Sequence, residues 1–374
     1  MVRHPNPFKP TAGANPPLLV GRGELIDLFA DSLADGPGAP GRLTLYSGPR
    51  GVGKTVMLNA VGERAAEEFQ WRVIHETATK GFLERIKSHA EQMLAEMKPR
   101  SRKLTGVSVP VLSVSLSDDP TSVELGLRQA LTEVIESLEA HGTGLLLTID
   151  EIQMADLEEL KQFSATVQHL VREDREIAVV MAGLPTGINK LLDEKSGTTF
   201  LRRADRYSLV NVDLGEVSEA LKETIEANGR LIGKAALQQA AAATGGYPFM
   251  MQLVGYHIWR KATSKRIDSA AVEAGVDAAR TRLGALVHAT ALKDLSEVDR
   301  TFLLAMAQDS GPSQLSSIAE RMEKSNSYLS VYRSRLLDAG MIRTTKYGSV
   351  DFALPFLREY LQTHGAHEEM ASRL

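Results

Sequence analysis

Residues 48–55 read GPRGVGKT, which fills every fixed position of the pattern GxxxxGK[ST]. Each residue type there suits the gripping of a phosphate. Gly48, Gly51 and Gly53 let the backbone curl so that its N–H groups point at a β-phosphate; Lys54 can reach the β and γ oxygens, and the Thr55 hydroxyl can take a place on Mg²⁺. The whole stretch Gly48, Pro49, Arg50, Gly51, Val52, Gly53, Lys54, Thr55 and Val56 is therefore a candidate site for ATP or ADP. About 95 residues further on, LLLTIDE at 145–151 is an apolar run ending in two acids. Asp150 is placed to hold Mg²⁺ through water, and Glu151 to activate an attacking water. Two acids rather than one point to hydrolysis.

These groups work only if the fold brings residues 55 and 150 together. Leu43, Leu45 and Tyr46 form a short buried-strand pattern before the loop, and Val56, Met57, Ala60, Val61 and Ala65 recur at helical spacing after it. The loop thus feeds a helix N-terminus, whose dipole favours phosphate. Strands are expected at 42–48, 71–76, near 177–182 and at 206–212, with helices at 54–68, 79–97 and 155–172 between them. That alternation predicts an α/β fold with a doubly wound parallel sheet. Residues 98–119 break the rhythm: KPRSRK reads as a basic connector, and LTGVSVPVLSVSL as two short strands parted at Pro110.

The composition narrows the class. With 374 residues, 43% hydrophobic, the chain can bury ordinary cores in two or three domains. It has no cysteine, which excludes disulfides, thiolate metal sites and thiol nucleophiles, and its nine histidines show no ligand spacing. No run of about 18 apolar residues appears and the first residues lack an apolar signal core, so a cytoplasmic protein without a membrane partner is expected. A net charge of −4 gives no global footprint for nucleic acid, and any such contact needs a local patch.

The two motifs together resemble those of the AAA+ ATPases, in particular the branch containing the Orc1/Cdc6 initiators and the related STAND ATPases, over about residues 17–364. PPLLVGRGEL at 16–25 looks like the segment that lies over the adenine in that family, which implies that Val20, Gly21 and Arg22 line the base pocket. IAVVMAGLP at 177–185 sits where the family places its sensor 1 strand, but it ends in Ala182 and Gly183 rather than in Asn, Thr or Ser, leaving Thr186 or Asn189 as substitutes. FLRRADR at 200–206 lies where such proteins carry an arginine finger. Arg202 or Arg203 would then act on a neighbouring copy, the alternative being a solvated basic helix end or an intrachain salt bridge. TGGYPFMMQL at 244–253 looks like the GxP element of a helical lid, with Pro248 against the base or sugar, and no sensor 2 arginine accompanies it.

From Gly215 to Leu292 the pattern is all helix, as a lid would be. Residues 295–364 have the organisation of a winged helix-turn-helix: Ser296 caps one helix, Pro312 and Ser313 open a second, Ser325 opens a third that ends at Gly340, and a hairpin turns at Tyr347 and Gly348. Ser327, Tyr328, Ser330, Tyr332, Arg333 and Arg335, with Arg343 and Lys346, could face double-stranded DNA through residues 325–348. Acidic side chains outnumber basic ones from residue 295 onward, so an intramolecular or protein-binding role stands beside DNA binding. The expected organisation is an extension at 1–20, an ATPase core at 21–214, a lid at 215–292, the winged helix at 293–364 and a tail at 365–374. No internal repeat is present.

Overall fold

The computed structural model describes residues 5–11, 13–16, 18–97, 120–191, 200–346 and 348–371. Its first 208 residues build around five parallel strands, β1 (Leu43–Ser47), β2 (Arg72–Thr77), β3 (Leu145–Asp150), β4 (Ile177–Gly183) and β5 (Asp205–Ser208). They lie in the order β2-β3-β4-β1-β5. Helices α1 (Gly23–Ala34) and α2 (Lys54–Phe69) cover one face, and α3 (Phe82–Met97), α4 (Pro120–Glu139) and α5 (Leu157–Arg172) cover the other, before the short α6 (Pro185–Leu191).

The strand sequences explain the two covers. A parallel sheet with helices on both sides has no wet face, so its central strands read as unbroken apolar runs. Along β3, Leu145, Leu147 and Ile149 pack with Phe82, Leu131 and Phe163 on one side. Leu146 turns to the other side, with Val180, Met57 and Val61. The pairing Ser47 with Gly183 and Ile149 with Met181 brings the C-terminal ends of β1, β3 and β4 to one edge. Helix α4 was not foreseen in the sequence, and the expected basic connector and strand pair at 98–116 lie outside the described residues.

A second body follows: α7 (Leu214–Ala227), α8 (Lys234–Thr244), α9 (Pro248–Lys261) and α10 (Ser269–Leu283). It departs from the all-helical expectation by one small parallel pairing, β6 (Leu231–Ile232) with β7 (Arg266–Ile267), in which two loops lie side by side. The N-terminal segment is stitched into this body. Phe8 is buried in its core, the Asn6 side-chain amide donates to Tyr256 O at 2.9 Å, and the Lys9 N–H donates to Gln252 Oε1 at 3.1 Å. Gly255 makes the seat, since a Cβ there would stand 2.4 Å from the Phe8 ring.

The helical pattern that the sequence carries to Leu292 is interrupted. After α10 comes a π-helical turn, Gly284–His288, and then α11 (Ala289–Lys293). The turn is locked by Tyr360, whose ring would be 2.8 Å from a Cβ on Gly284, and by buried His288, whose Nε2 donates to Pro355 O at 2.9 Å. The C-terminal module comprises α12 (Glu297–Ala307), β8 (Ser313–Gln314), α13 (Leu315–Met322), α14 (Asn326–Asp338), β9 (Ile342–Thr344), β10 (Ser349–Phe352) and α15 (Leu357–Ala371). Ser296 forms a capping box with Asp299, and Ser325 caps α14 through the Tyr328 N–H. Ser313 does not open a helix. It pairs with Val350 as an edge strand of the antiparallel order β8-β10-β9, and α13 starts two residues later. Helix α15 runs into the segment expected to be a tail, and Tyr347 lies outside the described residues. Among the described residues no helix is long and apolar enough to cross a membrane.

Replacing Phe8 by Ala should cost about 3 kcal/mol through the cavity it leaves, read as a lower urea midpoint. An unchanged midpoint would mean that the N-terminal segment does not hold the second body together.

Candidate nucleotide site

The phosphate loop leaves β1 at Ser47 and enters α2 at Lys54. Gly51 and Gly53 adopt φ +74 and +96, the left-handed region that a side chain resists. Gly53 also caps α2, so the helix N-terminus faces the loop. Lys54 is buried, its ammonium donating to Gly48 O at 3.0 Å and Pro49 O at 3.1 Å. Burial holds its pKa below the usual lysine range, while the nearby Glu151 and Asp150 charges oppose that shift.

The sheet edge brings the second motif alongside. Thr55 Oγ1 donates to Asp150 Oδ2 at 2.5 Å, and Asp150 Oδ1 accepts the Glu151 N–H at 2.8 Å. A hydroxyl and a carboxylate side by side are hard oxygen donors, the set Mg²⁺ takes when phosphates and water fill its other positions. A cavity of about 180 Å³ opens beside this pair, lined also by Asn59, His75, Glu76 and Thr148. Glu151 stands in a left-handed conformation at φ +51, uncommon for a side chain of its size. Its carboxylate accepts from the Gln153 side-chain amide, and Gln153 Oε1 accepts the Leu184 N–H at 2.9 Å.

On the side expected to hold the base, Gly21 meets Val212, which bonds the GxP-like turn. The Val212 N–H donates to Gly246 O at 2.8 Å, and Val212 Cγ1 would be 3.1 Å from a Cβ on Gly21. Val20 packs on the core of the second body, and Pro248 opens α9. Arg22 is not a surface residue. It is 8% exposed and donates to Gly21 O and Val210 O, bracing the entry segment against the chain after β5.

Tyr247 was missed in the sequence. This fully buried residue donates through Oη to Arg50 O at 3.0 Å, and a Cβ on Gly51 would stand 1.9 Å from that oxygen. Burial pushes its phenol well above the usual range, so it remains a donor. The signal available was an aromatic side chain between two glycines and a proline in TGGYP.

Other expected residues are elsewhere. Thr186 faces away from the site, donating to Leu337 O in α14 at 2.5 Å, and Asn189 is exposed. Arg202 and Arg203 lie in a short 3₁₀ turn before β5, at the opposite edge of the sheet, where Arg203 lines a cavity with Gly41, Leu43 and Ile177. They cannot reach the phosphate loop of their own chain. In the C-terminal module Arg335 pairs with buried Asp299 at 2.7 Å, Arg343 with Asp351 at 3.2 Å, and Arg333 donates to Thr344 Oγ1 at 3.1 Å.

Lys54→Ala should abolish ATP binding measured by calorimetry. Tyr247→Phe should weaken it by about 1 kcal/mol, the loss of one hydrogen bond, whereas Gly51→Ala should be far worse, since it adds both a collision and a strained φ. Equal effects of the last two would show that Tyr247 does not seat on the loop.

Residues 18–180 match the family described as "AAA ATPase domain", and residues 285–361 match "Domain of unknown function (DUF8462)". No curated protein matches the chain. Among solved structures, the fold is similar to that of a Walker-type ATPase of Pyrococcus abyssi, with a TM-score of 0.65 at 16% identity over 92% of this chain and 96% of that one. The ORC2 protein of Aeropyrum pernix gives 0.64 at 15% identity over 97% and 98%, and Cdc6p of Pyrobaculum aerophilum gives 0.52 at 15% over 96% and 97%. The sheet order, the loop seated on α2 and the acids at the end of β3 agree with the matched domain: residues 18–180 carry an AAA ATPase domain, and the fold of the chain is similar to that of Orc and Cdc6 proteins.

Proposed function

We propose that this ATPase is a slow, ATP-dependent switch in which the C-terminal module, acting as a winged helix, is clamped against both walls of the nucleotide site. The observation that carries this reading is a two-point contact. On the β4 side, Thr186 bonds Leu337 O, and Leu184 lies 3.4 Å from the Cβ position of Gly340, just after α14. On the lid side, the Phe356 ring is 3.2 Å from the Cβ position of Gly245, two residues before Tyr247. The module thus touches the segment that supports Glu151 and the turn that seats on the phosphate loop.

In the proposed hydrolysis, the loop N–H groups and Lys54 hold the phosphates, and Thr55 and Asp150 would hold Mg²⁺, which supplies charge neutralisation when bound. Val20, Gly21, Arg22 and Pro248 wall the base. Glu151 takes the proton of the attacking water at its carboxylate. Slow turnover fits a β4 that ends without a polar side chain of its own. Arg202 or Arg203 would serve a neighbouring copy if the chain self-associates.

A second reading, release of the module onto double-stranded DNA, is favoured by the outward face of α14. Ser327, Tyr328 and Ser330 are exposed there, with Lys346 beside the hairpin. The arginines spent on Asp299, Asp351 and Thr344 favour the clamp.

Glu151→Gln should bind ATP and fail to turn it over. In that trapped state, hydrogen exchange at 184–188 and 336–341 should differ from the ADP state, and equal protection in the two would remove the switch. Fluorescence anisotropy of labelled duplex across a salt series decides the output. Binding that needs ATP and weakens steeply with salt supports DNA engagement, whereas none at low salt in any nucleotide state leaves a protein partner.

A further inference from the structure

We infer that Gln153 is a positioning residue for ATP hydrolysis: its side-chain amide, fixed to the end of β4, aims the Glu151 carboxylate. The inference rests on the reading of Glu151 as the base.

Three observations support it. First, Gln153 is the described side chain that holds Glu151: its Nε2 donates to Glu151 Oε2, and its Oε1 accepts the Leu184 N–H at 2.9 Å. An amide used at both ends has its O and N assigned by its partners, because the backbone N–H can only donate and the carboxylate can only accept. Second, β4 and α6 are cut to fit this side chain. A Cβ on Gly183 would stand 2.5 Å from Gln153 Oε1, and one on Gly187 would stand 2.4 Å from Gln153 Cβ. Neither glycine has a positive φ, so neither is needed there for backbone freedom; the space they leave is what Gln153 occupies. Third, Glu151 is held at φ +51 at the head of the 3₁₀ turn Ile152–Met154 that carries Gln153. A residue so turned must be fixed by its surroundings.

The chemistry needs such a hold. A carboxylate acting as base must keep one lone pair on the water it deprotonates, and an ångström of misplacement costs about a hundredfold in rate. Gln153 occupies Glu151 Oε2 and leaves Oε1 for the water. It works through Glu151, without touching phosphate.

The test is steady-state ATP hydrolysis by the full chain, with affinity for a non-hydrolysable ATP analogue measured separately. Gln153→Ala and the near-isosteric Gln153→Glu should each lower kcat by on the order of tenfold or more while analogue affinity stays within about twofold. Gly183→Ser, whose side chain enters the Gln153 slot, should also lower kcat, and adding Gln153→Ala to it should lower kcat little further, since both remove the same contact. Turnover of Gln153→Ala within twofold of the parent overturns the inference. So does loss of analogue binding in Gln153→Glu, since it makes Gln153 a packing residue of the loop. Glu151→Gln runs alongside: normal turnover there defeats the base assignment itself, while its loss together with normal Gln153→Ala activity defeats only the inference.

Discussion

The second body of this protein can reach the phosphate loop only because residue 51 has no side chain. Tyr247 belongs to the core of that body and is fully buried, yet its hydroxyl ends on the Arg50 carbonyl in the space a Gly51 methyl would fill. The direction of the loop amides and the seating of the second body are therefore fixed by the same two residues. A change in the loop must be felt at Tyr247, and from there at Gly245, on which Phe356 of the C-terminal module rests. Packed interiors transmit such displacements because they deform little. A nucleotide shifts this arrangement only by the difference in its affinity for two states.

The site was legible where chemistry and local pattern coincide. GPRGVGKT specifies backbone curvature, charge and hydroxyl within eight residues, and LLLTIDE states in its own letters that a strand buried on both faces ends in acids. The parallel order follows from alternation of such runs with helices. Helix α4 carries an equally plain signal, Leu127, Leu131, Val134, Ile135 and Leu138 at helical spacing, all buried. The sequence-based expectation for Ser313 failed. A cap residue followed by a helix looks the same as an edge strand two residues long, and only pairing with Val350 distinguishes them.

What the sequence hid were contacts between distant segments. Nothing local to Gln153 reveals that Gly183 and Gly187 leave room for it, and nothing local to Thr186 reveals a carbonyl 151 residues away. The basic residues of α14 show the same limit. As letters they are a cationic face; in the fold Arg335 neutralises Asp299, which is 1% exposed and already the partner of Ser296 in a capping box. A buried carboxylate needs such a partner, since removing one member of a buried pair is costly. The strand ends, by contrast, were misplaced by only a residue or two, except for β5, which stops at Ser208 because the chain then turns to meet Arg22 at Val210.

The placement of Arg202 and Arg203 limits the geometry of any assembly that would use them. They precede β5, whereas the phosphate loop follows β1, and the two strands run parallel. Donor and acceptor surfaces therefore lie at opposite edges of one sheet. A two-fold pair could join them only by lying antiparallel, each end against the other's opposite end. A head-to-tail contact joins them once, and repetition of such a contact closes into a ring or continues as an open helix.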